Sequence, residues 1–259
     1  MKTLTKVFVI GLCLAFGSAQ VKAQGLYITG GLGYGMASSS SDIGEKQDAS
    51  GGSEGVYGSF GAGLNFGVGI GYMFSENIGA ELGINDLMGK EIETIDYSTG
   101  DPISLKQKGK MIRLIPAIKL TCGDAIKPYA KFGLVMGMSP KIDGTVSGGG
   151  NSMGVDIAYS GTDNYSSGSS MGWMGAFGLD FKLTDMIGIY AELSSINMSY
   201  APEKEEYAIV GTSGGVSQSQ TGTINYTDKV ASGSNDQLKH YQSFSSFGIN
   251  AGVKLSFGK

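Results

Sequence analysis

Phe247-Gly248-Ile249-Asn250-Ala251-Gly252-Val253-Lys254-Leu255-Ser256-Phe257 is the stretch on which the fold turns. Every odd position is apolar, and every even one is glycine, asparagine, lysine or serine. That two-residue period belongs to a strand with one oily face. A helical template fits far worse, since positions 249, 252, 253 and 256 read Ile, Gly, Val and Ser. The same period recurs toward the N-terminus in Ile187, Ile189, Ala191 and Leu193, and in Trp173, Phe177, Leu179, Phe181 and Leu183. It continues through Ala130, Phe132, Leu134 and Met136, then Ile112, Leu114, Pro116, Ile118 and Leu120. Two more runs are Ile78, Ala80, Leu82 and Ile84, and the even positions from Phe60 to Phe74. Leu26 to Met36 is the eighth, its alternation blurred by Gly30, Gly31, Gly33 and Gly35. Pro116 removes a ladder donor, so a bulge or local break is expected there.

The connectors alternate in length. Ser75-Glu76-Asn77, Cys122-Gly123-Asp124-Ala125 and Thr184-Asp185-Met186 are tight turns, whereas 37 to 58, 89 to 109, 139 to 170 and 201 to 240 are long and rich in Ser, Gly, Asn, Thr and Asp. No apolar run reaches the length of a spanning helix, so any membrane crossing must use strands. In lipid a sheet is viable only when closed, because an open edge leaves backbone donors and acceptors unpaired. The expected fold is all-β: an eight-stranded antiparallel up-and-down transmembrane β-barrel with short periplasmic turns and long extracellular loops. A closed barrel has no free edge, so a monomer in outer-membrane lipid is expected.

The N-terminus sets the compartment. Lys2 and Lys6 precede an apolar run from Val7 to Phe16, and Val21-Lys22-Ala23 is a small-residue cleavage site. The run is about 10 residues where a helical span needs roughly 20. Residues 1–23 are therefore read as a signal peptide cut between Ala23 and Gln24, with a cut after Ala19 as an alternative, and 24–259 as the barrel domain. Leu12 before Cys13 argues against a lipoprotein signal. Losing Lys2, Lys6 and Lys22 takes 19 basic residues to 16 against 23 acidic ones, a net charge of −7. Such a chain has no general attraction for nucleic acid. One cysteine, Cys122, would remain, so no internal disulfide is expected.

The chain resembles the small outer-membrane β-barrel family that includes the OmpA transmembrane domain and OmpX, over about Gly25 to Phe257. Asn250-x-Gly252-x-x-Leu255-x-Phe257 is similar to the β-signal of bacterial outer-membrane proteins, with Gly258-Lys259 added after the aromatic residue. The resemblance implies that the barrel assembly machinery reads Asn250, Gly252, Leu255 and Phe257 on the last strand. Gly25-Leu26-Tyr27-Ile28-Thr29-Gly30-Gly31-Leu32-Gly33-Tyr34 and Lys127-Pro128-Tyr129-Ala130-Lys131-Phe132-Gly133 are weaker resemblances. With the sequence stopping at Lys259, no peptidoglycan-binding domain is expected.

Aromatic residues fall where membrane interfaces would be. Tyr72, Phe74, Phe181 and Phe257 are expected at the periplasmic girdle, and Tyr34, Phe60, Trp173, Tyr200, Tyr241 and Phe244 near the outer one. By parity, Glu81, Arg113, Lys119, Lys131, Asp180, Lys182, Glu192 and Lys254 point into the lumen. Neighbouring strands would pair Glu81 with Lys119, Lys131 with Asp180, and Glu192 with Lys254, forming an ion-paired layer that plugs a lumen only wide enough for side chains. Abundant lumen-side glycine works against that plug by leaving room for water.

Catalytic chemistry is poorly supplied. His240 is the only histidine, which excludes a two-histidine metal site. A serine hydrolase with His240 as base and Ser243 or Ser245 as nucleophile lacks the closer His-x-Ser spacing of barrel lipid A deacylases. No enzyme, catalytic residue, cofactor or metal is expected. The leading expectation is a surface protein with a structural or adhesion-like role through its four long loops, where Tyr165, Tyr207 and Tyr226 are candidate contacts to a cell-surface or host partner. A narrow porin-like conduit for ions or small apolar molecules is the alternative, and a lipid acyl hydrolase the remote third.

Overall fold

The computed structural model describes residues 25–38, 41–47, 50–97, 102–152 and 154–257. The expected leader and its Ala23/Gln24 cleavage point lie outside the described residues. In chain order the strands are β1 (Gly25–Ala37), β2 (Ser41–Gln47), β3 (Ser53–Gly58), β4 (Gly63–Met73), β5 (Ile78–Gly89) and β6 (Ile92–Tyr97). They continue as β7 (Ile103–Thr121), β8 (Ile126–Ser152), β9 (Val155–Ser166), β10 (Ser169–Lys182) and β11 (Ile187–Ala201). The last are β12 (Lys204–Ser213), β13 (Val216–Thr227), β14 (Gln237–Leu238), β15 (Gln242–Ser243) and β16 (Ser246–Phe257).

Eight of them close a ring in the order β1, β4, β5, β7, β8, β10, β11, β16 and back to β1, each antiparallel to its neighbours. The expected barrel is therefore the observed one. Its closure lies between the first and last strands, with Leu26 opposite Phe257 and Ala37 opposite Ser246. The outward face is oily: Leu32, Phe132 and Phe177 are 61%, 62% and 73% exposed. A continuous band of such side chains would be a large penalty in water and is the face that lipid takes. Tyr72 and Phe74 meet edge to face at 5.6 Å at the periplasmic end of this band.

Two periplasmic turns share one design. Ser75 Oγ accepts from the backbone N–H of Asn77 and Ile78, and Thr184 Oγ1 does the same for Met186 and Ile187. A hydroxyl that satisfies two turn amides favours tight reversal over a looser loop. Cys122 sits exposed in the third turn, beside Gly123 at a φ of 86°.

The Pro116 expectation needs one correction. The β7–β8 ladder is interrupted at Ile115 and Pro116, yet Leu114 opposite Met136 and Ala117 opposite Gly133 keep one register, so there is a break and no bulge. The register shift falls instead between Lys110 and Ile112, against Met138 and Lys141. Ser139 there adopts a φ of 49° ahead of Pro140. This is where β8 changes partner, from β10 below to β9 above.

Beyond that point the long connectors are not featureless loops. β7 and β8 run on past the barrel for 19 and 27 residues in all, against the roughly 9–11 that a spanning strand needs. β9, β12 and β13 extend the sheet on one side, and β6, β2 and β3 on the other.

Candidate functional site

The lumen is filled in two layers. Near the periplasmic end, Lys131 Nζ lies 2.8 Å from Glu81 Oε1 and 2.9 Å from Glu192 Oε2. Lys119 and Lys254 both reach Asp180 Oδ2, at 2.8 and 2.7 Å. The partners differ from those expected, because every pair skips a strand: β5 to β8, β8 to β11, β7 to β10 and β10 to β16. The direct register explains why. Glu81 faces Ala117, Glu192 faces Asn250, and Lys119 faces Lys131, so adjacent strands offer these charges a small, neutral or like-charged neighbour, while Asp180 faces Lys127 yet bonds Lys119 and Lys254. Strand stagger brings the opposite charge to the next strand but one, within side-chain reach across a narrow lumen.

Two of the eight expected residues stand outside this layer. Lys182 is at the periplasmic mouth, half exposed, and pairs with Asp185 in its own turn at 2.7 Å. Arg113 points inward, fully buried, but joins no carboxylate among the described residues.

Tyrosines complete the layer and were not anticipated. Tyr27 donates to Glu81 Oε2 and Tyr129 to Glu192 Oε2, both at 3.0 Å. Lys119 Nζ stands 3.9 Å above the Tyr129 ring, and Lys254 Nζ 4.6 Å above Tyr27, a cation–π contact that adds to each ion pair. These rings lie on glycine: a Cβ at Gly71 would meet Tyr27 at 2.1 Å, and one at Gly178 would meet Tyr129 at 2.4 Å. At these positions the space that lumen-side glycine was expected to leave for water is occupied by phenol.

Above the ion pairs is an apolar cap. Phe60, Leu87, Met111, Val135, Met198, Tyr200 and Phe244 belong to one buried cluster. Phe244 meets Tyr200 edge to face at 5.7 Å and Phe60 at 6.0 Å. Phe60, Tyr200 and Phe244 are thus corrected from the outer aromatic girdle to the interior. Tyr200 and Phe244 share parity with the lumen residues Glu192 and Lys254. Phe60 is turned inward because the backbone reverses at Ser59–Ala62, ahead of Gly63 at a φ of 142°.

The C-terminal residues of the expected β-signal have structural work of their own. Asn250 donates to Ser194 Oγ at 2.9 Å inside the barrel. A Cβ at Gly252 would meet the Gly30 carbonyl oxygen at 2.2 Å. Leu255 and Phe257 face outward, each 40% exposed.

A second polar cluster lies outside the membrane, between β9, β12 and β13. Tyr226 stacks on Tyr165 at 6.3 Å and takes the His240 ring edge-on at 4.7 Å. Tyr226 donates to Glu205 Oε2, and Gln107 Nε2 donates to Asp163 Oδ2 at 3.4 Å. Tyr226 is 6% exposed, which corrects its expected role as a free contact. Ser243 donates to Ser59 Oγ and Ser245 to the Met198 carbonyl, so both hydroxyls expected beside His240 are directed elsewhere.

Burial, and then the charge of Glu205, push the Asp163 carboxyl up to about 7. The folded outer sheet therefore prefers the neutral acid. Its contribution is complete below the ordinary aspartate value of about 4, and is lost as pH rises toward 7. Amides of β9 and β12 are expected to be better protected from hydrogen exchange at pH 5 than at pH 8, after correction for intrinsic rates. Asp163→Asn should flatten that dependence, and equal protection at both pH values in the parent would refute it.

The family comparison agrees with the geometry. A family model described as outer membrane protein beta-barrel domain matches residues 8–222. The chain belongs to that family. It is a barrel of the Gram-negative outer membrane. Among curated proteins none matches it. It is similar to the crystal structure of Neisserial surface protein A at 13% identity and a TM-score of 0.45, covering 91% of this chain and 99% of that one. For OprG from Pseudomonas aeruginosa the figures are 14% and 0.42, covering 93% and 100%. For AlkL in lipid bilayers they are 12% and 0.39, covering 93% and 94%.

Proposed function

We propose that this barrel is a non-enzymatic surface protein with a structural or adhesion-like role, carried by the sheet that stands above the membrane. The observation behind this reading is the length of β8 and the strands laid on it. The connectors form a continued sheet on both sides of the barrel, with Tyr57 and Tyr241 exposed at 64% and 71%. A preformed surface loses little conformational entropy when a host, phage or neighbouring-cell surface docks on it. The lumen, filled by ion pairs below and an apolar cap above, serves as a plug that holds this platform. Delivery would use the 1–23 leader, assembly the Asn250, Gly252, Leu255 and Phe257 signal, and the product would be a monomer in outer-membrane lipid.

Cells producing a variant with 206–223 replaced by a short turn test the reading. Loss of adhesion with intact membrane integrity supports it. Unchanged adhesion with altered uptake of small solutes would favour the narrow conduit instead.

A further inference from the structure

The chain has a single arginine, and the fold places it in the middle of the lumen. Arg113 on β7 is 2% exposed, between the apolar Met111 and Ile115 of its own strand. Its Nε and Nη2 donate to nothing among the described residues. The ion-paired layer below offers it no counter-charge. Three carboxylates there meet three ammonium groups, and Glu81, Glu192 and Asp180 are each already bonded to lysine or tyrosine. A guanidinium stays charged in proteins, so proton loss cannot relieve it. A buried charge without a partner is strongly unfavourable, which calls for a counter-ion.

The space for one is present. Arg113 lines a cavity of about 100 Å³ between the ion pairs and Met174 and Ile196. Asn65, Asn85 and Asn250 share its wall. Asn85 is the register partner of Arg113, and its Oδ1 is buried without a donor while its Nδ2 donates to Asn65 Oδ1 at 2.9 Å. Turning over both amides of that pair keeps their mutual hydrogen bond and puts an N–H where the unpaired Oδ1 of this cavity-lining residue stands.

We infer that this cavity is a binding site for one small monovalent anion of halide size, held by the Arg113 guanidinium with the Asn85 amide as a neutral donor. The volume admits such an ion with a few waters and excludes bulky organic anions. This site is independent of what the outer sheet meets.

Because Arg113 has no sister residue, its Nε–Hε nuclear magnetic resonance signal has one owner in the chain. The folded, 15N-labelled barrel in detergent is titrated with sodium bromide, with sodium gluconate holding ionic strength constant. The expected result is a saturable shift of the Arg113 signal, at least tenfold larger than any shift produced by varying gluconate. In Arg113→Gln the bromide response of the Asn85 and Gly137 backbone amides, the register partners on either side, should disappear. No shift, or a linear shift equal for all anions, would mean a hydrated guanidinium and overturn the site. A bromide response of Asn85 and Gly137 that survives in Arg113→Gln would also overturn it. Should that variant not refold, the titration of the parent decides alone.

Discussion

Lys131→Met is expected to destabilise the barrel by about 3–5 kcal/mol, the range for breaking a buried ion pair by removing one partner. Lys131 holds two carboxylates at once, Glu81 and Glu192, and its own side chain is only 8% exposed. Without it both acids remain buried with a tyrosine hydroxyl apiece and no cation. The loss should appear as a lower temperature at which the folded band disappears on a detergent gel. The triple variant Lys131→Met, Glu81→Gln, Glu192→Gln should recover most of it, since Tyr27 and Tyr129 can still donate to the amide oxygens. A single variant as stable as the parent would show that the layer carries no net weight.

Phe244→Ala attacks the other layer. The ring is fully buried and touches Phe60 and Tyr200, and the backbone oxygen of Phe244 lies against Gly61. Truncating a buried phenylalanine costs about 3–5 kcal/mol, with the cavity left behind adding to the transfer cost. The ring sits in one buried cluster with Phe60, Met198 and Tyr200, so a loss within that range is expected in urea unfolding from lipid vesicles. A loss of about 0.5 kcal/mol or less, on the scale of an exposed site, would mean that the cap is loosely packed.

Much of this was legible in the residues. Parity alone turned Glu81, Lys119, Lys131, Asp180, Glu192 and Lys254 inward, because lipid selects one face of each strand. The same parity turns Tyr27 and Tyr129 inward, and also Tyr200 and Phe244, for which position along the strand points instead to the outer interface. Phe60 was not legible that way, since a turn resets its parity. Ion-pair partners were not legible either. They depend on barrel stagger, which is set by hydrogen bonding between strands and leaves no mark on any single strand. The outer strands were hidden for another reason. Segments such as Val216-Ser217-Gln218-Ser219-Gln220-Thr221-Gly222-Thr223 have water on both faces and so no hydrophobic contrast to reveal a period. Arg113 was placed in the lumen from parity, but only the completed pairing of the six other charges reveals that it is left over.

Single-channel recording of the purified barrel in planar bilayers tests the closed lumen most directly. Ion pairs beneath an apolar cap predict no stable, large conductance, with brief small openings at most. A stable, large conductance in the parent protein would contradict a plugged barrel and move its function from the sheet above the membrane to the lumen.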